Sequence, residues 1–309
     1  MSRILCLTMI AVALSAADAT NSATPALKVG EVTPSGSVRS LHSWELPALN
    51  VAGRPITDLR DADLVGDYGQ PRWATKRLFT EVRTYVIPKG QVEFEYWLRV
   101  EQPTKREKDD AKDSGETAQP TVKQYYEAEF GLGHRLQLDL YQVYKKDGSE
   151  GQNKLDSTKF ELRYALADWG VLFANPTVYL EWTQEAEGAD AIEAKLLTCD
   201  SINDRWVWAN NLVWEEGTGH ARERGQEVNT AVAYLVGDGL SVGLESNLAY
   251  VSELDKDRNG ERHGHGEVSV GPTTRFSPIP QAHIILTQFV GLNQDTPEAS
   301  TRAIFGWEF

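Results

Sequence analysis

From residue 91 the chain alternates apolar and charged positions. Gln91 to Glu101 reads QVEFEYWLRVE, with Val92, Phe94, Tyr96, Leu98 and Val100 apolar and Glu93, Glu95, Arg99 and Glu101 between them. Period two over five cycles predicts a strand with one greasy and one charged face, because a helix would spread the glutamates around its circumference. The pattern returns at Val122–Leu132, Leu136–Tyr141, Phe160–Leu166, Val178–Trp182, Ile192–Leu196, Val228–Tyr234 and Leu240–Tyr250. Trp206–Trp214 is a strand by composition with its faces undetermined, and Gly266–Gly271, Ala282–Leu292 and Thr301–Phe309 complete the set. Twelve segments result, an even number.

Connection lengths add an independent signal. Long hydrophilic stretches such as KREKDDAKDSGE, KKDGSEGQNKLD and SELDKDRNGERHG fall between some strands, whereas Gly133-His134-Arg135 and Gly237-Asp238-Gly239 join others tightly. Long loops at one end and mostly shorter turns at the other describe a transmembrane antiparallel up-and-down β-barrel with both termini on the short-turn side. A soluble β-sandwich would show the same alternation. Against it stand strands of ten or so residues, longer than the ~5–6 of soluble sheets. Aromatics at strand ends also suit interfacial girdles: Tyr164, Trp169, Trp182, Trp206, Trp214, Tyr234 and Tyr250.

The N-terminal third differs. Met1-Ser2-Arg3, an apolar run over residues 4–14 and Ala17-Asp18-Ala19 make up a secretory signal peptide over residues 1–19. Residues 20–89 are polar, mostly irregular and punctuated by Pro and Gly, with a candidate strand over Leu78–Ile87 running into Pro88. So few large apolar residues bury little core alone, which predicts a periplasmic leader that packs onto or into the barrel of residues 90–309. Beyond the signal, Cys199 is the one cysteine, so no disulfide staples the exported chain.

Composition now becomes legible. The 309 residues carry a net charge of −14, a mean hydropathy of −0.42 and nine Trp, eleven Tyr and nine Phe. Alternation lets so polar a chain span lipid, since half of each strand faces the interior. The acidic balance argues against a nucleic-acid partner.

The last strand ends Phe305-Gly306-Trp307-Glu308-Phe309, with aromatics at alternate positions and a terminal Phe. It resembles the terminal signal of bacterial outer-membrane β-barrels, and the resemblance covers residues 91–309. It implies the outer membrane as location, with outer-membrane lipid and the outer-membrane insertion machinery as partners. The resemblance also implies that Phe305, Trp307 and Phe309 are the residues read during insertion. The stretches Thr274–Pro280 and Gly291–Pro297 also resemble the closing hairpin of outer-membrane transporters typed by the MetA pathway of phenol degradation.

On this parity the inward face carries Glu93, Glu95, Glu101, Glu127, Glu129, Asp139, Glu161, Glu181, Glu193, Glu245, Glu267 and Glu308. Five bases oppose them: Arg99, Lys123, Arg163, Lys195 and Arg302. Such an excess predicts a narrow or gated pore for small solutes with an acidic lumen favouring cations. The alternative is structural, since small barrels fill their interior with paired polar side chains. Residues 41–89 are the candidate occlusion.

An enzyme of the lipase or protease type needs a nucleophile beside a base. The six histidines scatter over turns and loops and no G-x-S-x-G occurs, so the sequence is not read as an enzyme. Asp255–Gly260 matches the opening D-x-D-x-N-G of a calcium loop, but position twelve is Gly266, with Glu267 one residue late. His263 and His265 supply only two ligands. Neither motif predicts a metal, and no cofactor is implied.

Overall fold

A computed structural model describes residues 60–148, 151–219, 223–254 and 262–309. The signal peptide, the leader before residue 60 and the Asp255–Gly260 loop lie outside the described residues. Twelve strands form one closed antiparallel barrel. They are β1 (Val92–Glu101), β2 (Thr121–Gly133), β3 (Leu136–Asp147), β4 (Lys154–Ala165), β5 (Thr177–Glu185) and β6 (Ala191–Ser201). The second half comprises β7 (Trp206–Gly217), β8 (Arg224–Gly237), β9 (Leu240–Leu254), β10 (Arg262–Ile279), β11 (Ala282–Gly291) and β12 (Ala299–Glu308). Each strand pairs with the next, and β12 closes on β1 through pairs such as Phe305 with Tyr96.

Alternation becomes a division between outside and inside. Leu180, Leu212, Leu244 and Leu248 point outward and are 52–55% exposed, within a belt of exposed apolar side chains that runs around the wall. Water penalises so wide an apolar surface, whereas hydrocarbon does not. In β7 the undetermined faces resolve: Trp206, Leu212 and Trp214 are exposed, while Val207, Ala209, Asn211 and Val213 are buried. Of the expected girdle aromatics, Tyr164, Trp182, Trp206, Trp214 and Tyr250 are exposed. Trp169 is a correction, because its ring packs edge-on against Trp73 and Tyr85 at 5.5 and 5.3 Å.

Two elements differ from their sequence reading. Strand β10 runs eighteen residues, not six. Gly271 and Pro272 disguise it, and the ladder to β11 has no pairs at those two positions because proline has no N–H to give. Thr274–Ile279 is therefore strand, and only Pro280–Gln281 turns. The KREKDD loop holds a helix, α1 (Lys105–Asp113), capped reciprocally by Thr104 and Glu107. Charge on every face of α1 leaves no apolar stripe to betray it.

Residues 60–91 pack inside the barrel at its short-turn end. Leu64–Val65 pairs with Gln70–Pro71, a 3-10 turn spans Arg72–Thr75, and the rest is irregular. Leu78–Ile87 is thus not a strand. Its backbone bonds to inward side chains instead: Thr80 and Glu81 donate N–H groups to the Glu245 carboxylate at 2.9 and 2.8 Å, and Ile87 donates to Gln137 Oε1 at 2.8 Å. Those partners satisfy polar groups that a strand would have satisfied by a ladder. Trp73, Leu78, Phe79, Val82, Tyr85 and Val86 are buried against small wall residues, among them Ala165, Cys199, Ala209, Ala231 and Ala233. Small side chains on β4 and β6–β8 leave the volume that these large ones fill.

The segment is tied to the turns beneath it. Asp61 Oδ2 accepts from the Gly239 N–H at 3.1 Å, and the Tyr68 carbonyl accepts from the Trp169 N–H at 3.0 Å. Its exit hugs β2, where the Gly90 N–H donates to the Gly131 carbonyl at 2.8 Å. A Cβ at Gly131 would lie 2.0 Å from the Pro88 carbonyl oxygen, so only glycine fits there.

The belt makes a prediction. Leu212→Arg places a charge on the outer face and is expected to cost about 2–4 kcal/mol in reversible unfolding from lipid vesicles. A cost within about 0.5 kcal/mol, typical of an exposed position on a water-soluble sheet, contradicts the lipid-facing assignment.

Candidate functional site: the barrel interior

Register, invisible in the sequence, aligns the inward acids. Glu308 pairs with Glu93, Glu93 with Glu129, Glu129 with Asp139, and Asp139 with Glu161. Glu161 then pairs with Glu181, Glu181 with Glu193, and Glu193 with Glu215. Eight carboxylates thus form one continuous row across β12 and β1–β7. It begins beside the C-terminus at the short-turn end and climbs to Glu215, near the loop end of β7. A second row, Arg302, Arg99, Lys123, Lys145 and Lys154, carries five bases toward the loop end of β12 and β1–β4.

Like charges facing each other across a ladder repel, and burial makes each one costlier. Glu93, Glu129, Asp139, Glu161 and Glu181 are all at most 4% exposed. Interleaved cations offset them. Arg163 bridges Asp139 and Glu161, Lys159 Nζ lies 2.8 Å from Glu181, and Lys195 Nζ lies 2.8 Å from Glu193. The wall has too few bases for β1 and β2, and the inner segment supplies two more. Arg77 donates from Nε to Glu95 at 2.7 Å and from Nη2 to Glu127 at 3.2 Å, with its guanidinium 3.9 Å over the Trp97 ring. Arg83 donates to Glu129 at 3.0 Å and to the Tyr141 hydroxyl at 2.5 Å, and it also binds Glu127.

Burial works against the Arg83 charge, but Glu127 foremost, with Tyr141 and Glu129, holds that guanidinium well above its ordinary range. Burial also pushes the Tyr85 phenol up, and its hydroxyl donates to the Ala167 carbonyl at 2.6 Å.

The inward residues expected from the sequence fall into two groups. Glu93, Glu95, Glu127, Glu129, Glu161, Arg163, Glu181 and Glu245 are buried, several in direct contact with the inner segment. Arg99, Glu101, Glu267 and Arg302 instead line a cavity of about 630 Å³ at the loop end, together with Glu215 and Glu227. Its floor is Glu81, the tip of the inner segment, which pairs with both Arg99 and Arg302. In the C-terminal strand, Phe305 and Phe309 are exposed on the outer face and Trp307 is half-buried beside them.

Sequence reasoning missed Arg77, Arg83, Glu81, Tyr141, Lys159 and His283. A signal did exist, since twelve inward acids against five bases require cations from elsewhere, and the leader carries Arg77 and Arg83. Of the two loop histidines, His265 pairs with Glu267 at 3.1 Å, which uses the carboxylate that the calcium reading wanted.

No family model matches the chain, and no curated protein does. Among solved structures, an outer-membrane channel from Pseudomonas putida F1 is similar, with a TM-score of 0.52 and 10% identity over 75% of this chain and 100% of that one. The β domain of a Bordetella autotransporter, Brka, gives 0.40 at 11% identity, covering 72% of this chain and 100% of that domain. Acinetobacter baumannii Omp33 gives 0.32 at 8% identity, covering 72% and 99%. The first similarity shows a shared fold: the chain has the architecture of an outer-membrane β-barrel.

Arg83→Ala leaves Glu127 and Glu129 buried without their main partner. Its expected cost is about 3–5 kcal/mol, read as a lower urea midpoint of the detergent-folded barrel. A midpoint equal to that of the unaltered chain would show that the carboxylates need no such partner.

Proposed function

We propose that the chain resides in the bacterial outer membrane and forms a gated channel for small solutes, with a preference for cations. The observation that carries this reading is the continuous row of eight inward acids from one mouth of the barrel toward the other. Rings of acidic side chains concentrate cations, and a low-dielectric wall strengthens the effect. The cavity of about 630 Å³ is the candidate entry from the loop side. Residues 60–91 fill the opposite half, so conduction requires that segment to shift. On one side its hold on the wall is polar, through Arg77, Arg83, Thr80 and Glu81, and polar contacts can exchange for water once a path opens.

The reading includes export by residues 1–19 and insertion through Phe305, Trp307 and Phe309. Within it, the sequence resemblance of Thr274–Pro280 and Gly291–Pro297 favours the transporter group typed by the MetA pathway of phenol degradation.

Planar-bilayer recording tests the proposal. The unaltered chain is expected to show rare, small openings. Arg77→Ala with Arg83→Ala is expected to raise open probability at least tenfold, with a reversal potential of cation-selective sign in a salt gradient. Silence in both proteins, each shown to be folded by heat-modifiable migration, would remove the channel reading. Anion-selective current would remove the cation preference alone.

A further inference from the structure

The acids packed against the inner segment are compensated, and so is the seam where the barrel closes. There His283 reaches across Gly306, which has no side chain, and sets Nδ1 3.1 Å from Glu93 Oε1 and Nε2 3.0 Å from Glu95 Oε1. The loop-end cavity is different, because its charges of opposite sign stand on opposite walls. We propose that this cavity binds a small zwitterionic solute, with the solute's carboxylate on Arg99 and Arg302 and its cationic group on Glu215, Glu227 and Glu267. The proposal deepens the channel reading by naming a solute class and rests on it for transport, whereas binding itself requires no current.

Register and ring order separate the two poles. Arg302 on β12 pairs with Arg99 on β1, and Arg99 pairs with Lys123 on β2, so three bases stand side by side. Glu215 on β7 and Glu227 on β8 lie six strands round the twelve-strand ring from Arg99 and Lys123, on the opposite wall. Glu227 and Glu267 share one register row across β8–β10 with Ala249 between them, and Glu215 faces Gly225. Small residues at those positions leave the acids facing open space. The volume of about 630 Å³ falls within the ~300–1,000 Å³ of small-molecule sites.

The base pole already holds a carboxylate, that of Glu81, which pairs with both Arg99 and Arg302. The chain itself therefore shows that a carboxylate fits between those guanidinium groups, where charge-assisted bonds favour it. The acid pole has no equivalent among the described residues. Glu227 accepts from the Asn229 and Asn247 amides at 3.2 and 3.1 Å, which leaves its charge in place, and Glu267 contacts His265 at 3.1 Å. The lysines whose charge reaches Glu215, Lys159 and Lys195, pair with Glu181 and Glu193 instead. A solute carboxylate that displaces Glu81 exchanges like for like, so that step gains little. The gain comes from the far wall, where an ammonium or guanidinium group meets three carboxylates that lack a lysine or arginine. A solute with a carboxylate alone meets repulsion there, and one with a cation alone leaves Glu81 in place. Displacement moves only a side chain, because the Glu81 N–H remains on Glu245 at 2.8 Å.

Equilibrium dialysis of the full chain, folded in detergent, tests the site with ε-aminocaproate, caproate and hexylammonium as probes, and heat-modifiable migration confirms each fold. About one ε-aminocaproate per chain is expected, held at least tenfold more tightly than either singly charged probe. Glu81→Gln, which vacates the base pole, is expected to tighten ε-aminocaproate at least tenfold. Glu215→Gln with Glu227→Gln is expected to bring its affinity to within threefold of that of caproate. Affinities of the three probes within threefold of one another, or no saturable binding to either the unaltered chain or Glu81→Gln, overturn the proposal and leave the channel reading to its own recording. Selective binding by a chain that passes no current keeps the site and removes the transport. Should Glu81→Gln not fold, Arg99→Gln is expected to abolish the preference over hexylammonium, and a preference that survives it overturns the proposal.

Discussion

The structure depends on how buried negative charge is offset inside a closed wall. Closure forces one face of every strand inward, and the pairing of β12 and β1–β7 sets eight carboxylates side by side. Such a row is unstable without counter-charge. Arg163, Lys159 and Lys195 serve one arc of it from within the wall, and the other arc relies on Arg77 and Arg83 of the inner segment. The segment is thereby a necessary part of the barrel and not a passive filler. Its apolar residues face the opposite arc, where alanines and Cys199 leave space. One half of the wall holds the segment by charge and the other by packing.

That division bears on gating. An apolar contact gains nothing from water, whereas an arginine released from one carboxylate can find another further along the same row. On the proposed gating, the charged arc is where the segment would slide, and the packed arc is where it would first detach. On the proposed channel reading, the floor of the loop-end cavity, Glu81 between Arg99 and Arg302, is the contact of the segment nearest the loop side.

Much of this was legible because a membrane barrel writes its fold in period two. The inward assignment of Glu93, Glu127, Glu161 and Glu245 follows from alternation alone, and even strand number and loop asymmetry gave the topology. Register was not legible, and with it the acid row, because pairing depends on turn geometry and bulges such as those near Gly133 and Val143. Strand β10 hid behind Pro272, since a proline breaks a sequence pattern more than it breaks one edge of a ladder. The inner segment was misread at Leu78–Ile87 because its apolar residues line a cavity and not a sheet face, so periodicity there signals nothing regular. His283 looked like one more isolated histidine until Gly306 opened the space across the strand.

The central claim is that residues 60–91 seal the interior, and Cys199 is its native reporter. Its thiol is fully buried on the inner face of β6 and donates to the Thr84 carbonyl of the inner segment at 3.3 Å. The most direct measurement is the rate at which a small cationic methanethiosulfonate labels Cys199 in the folded chain, with Cys6 replaced by serine. The account predicts negligible labelling in the native barrel and labelling accelerated at least tenfold when Arg77 and Arg83 are both changed to alanine. Labelling of the native barrel as fast as that of the urea-unfolded chain would contradict it.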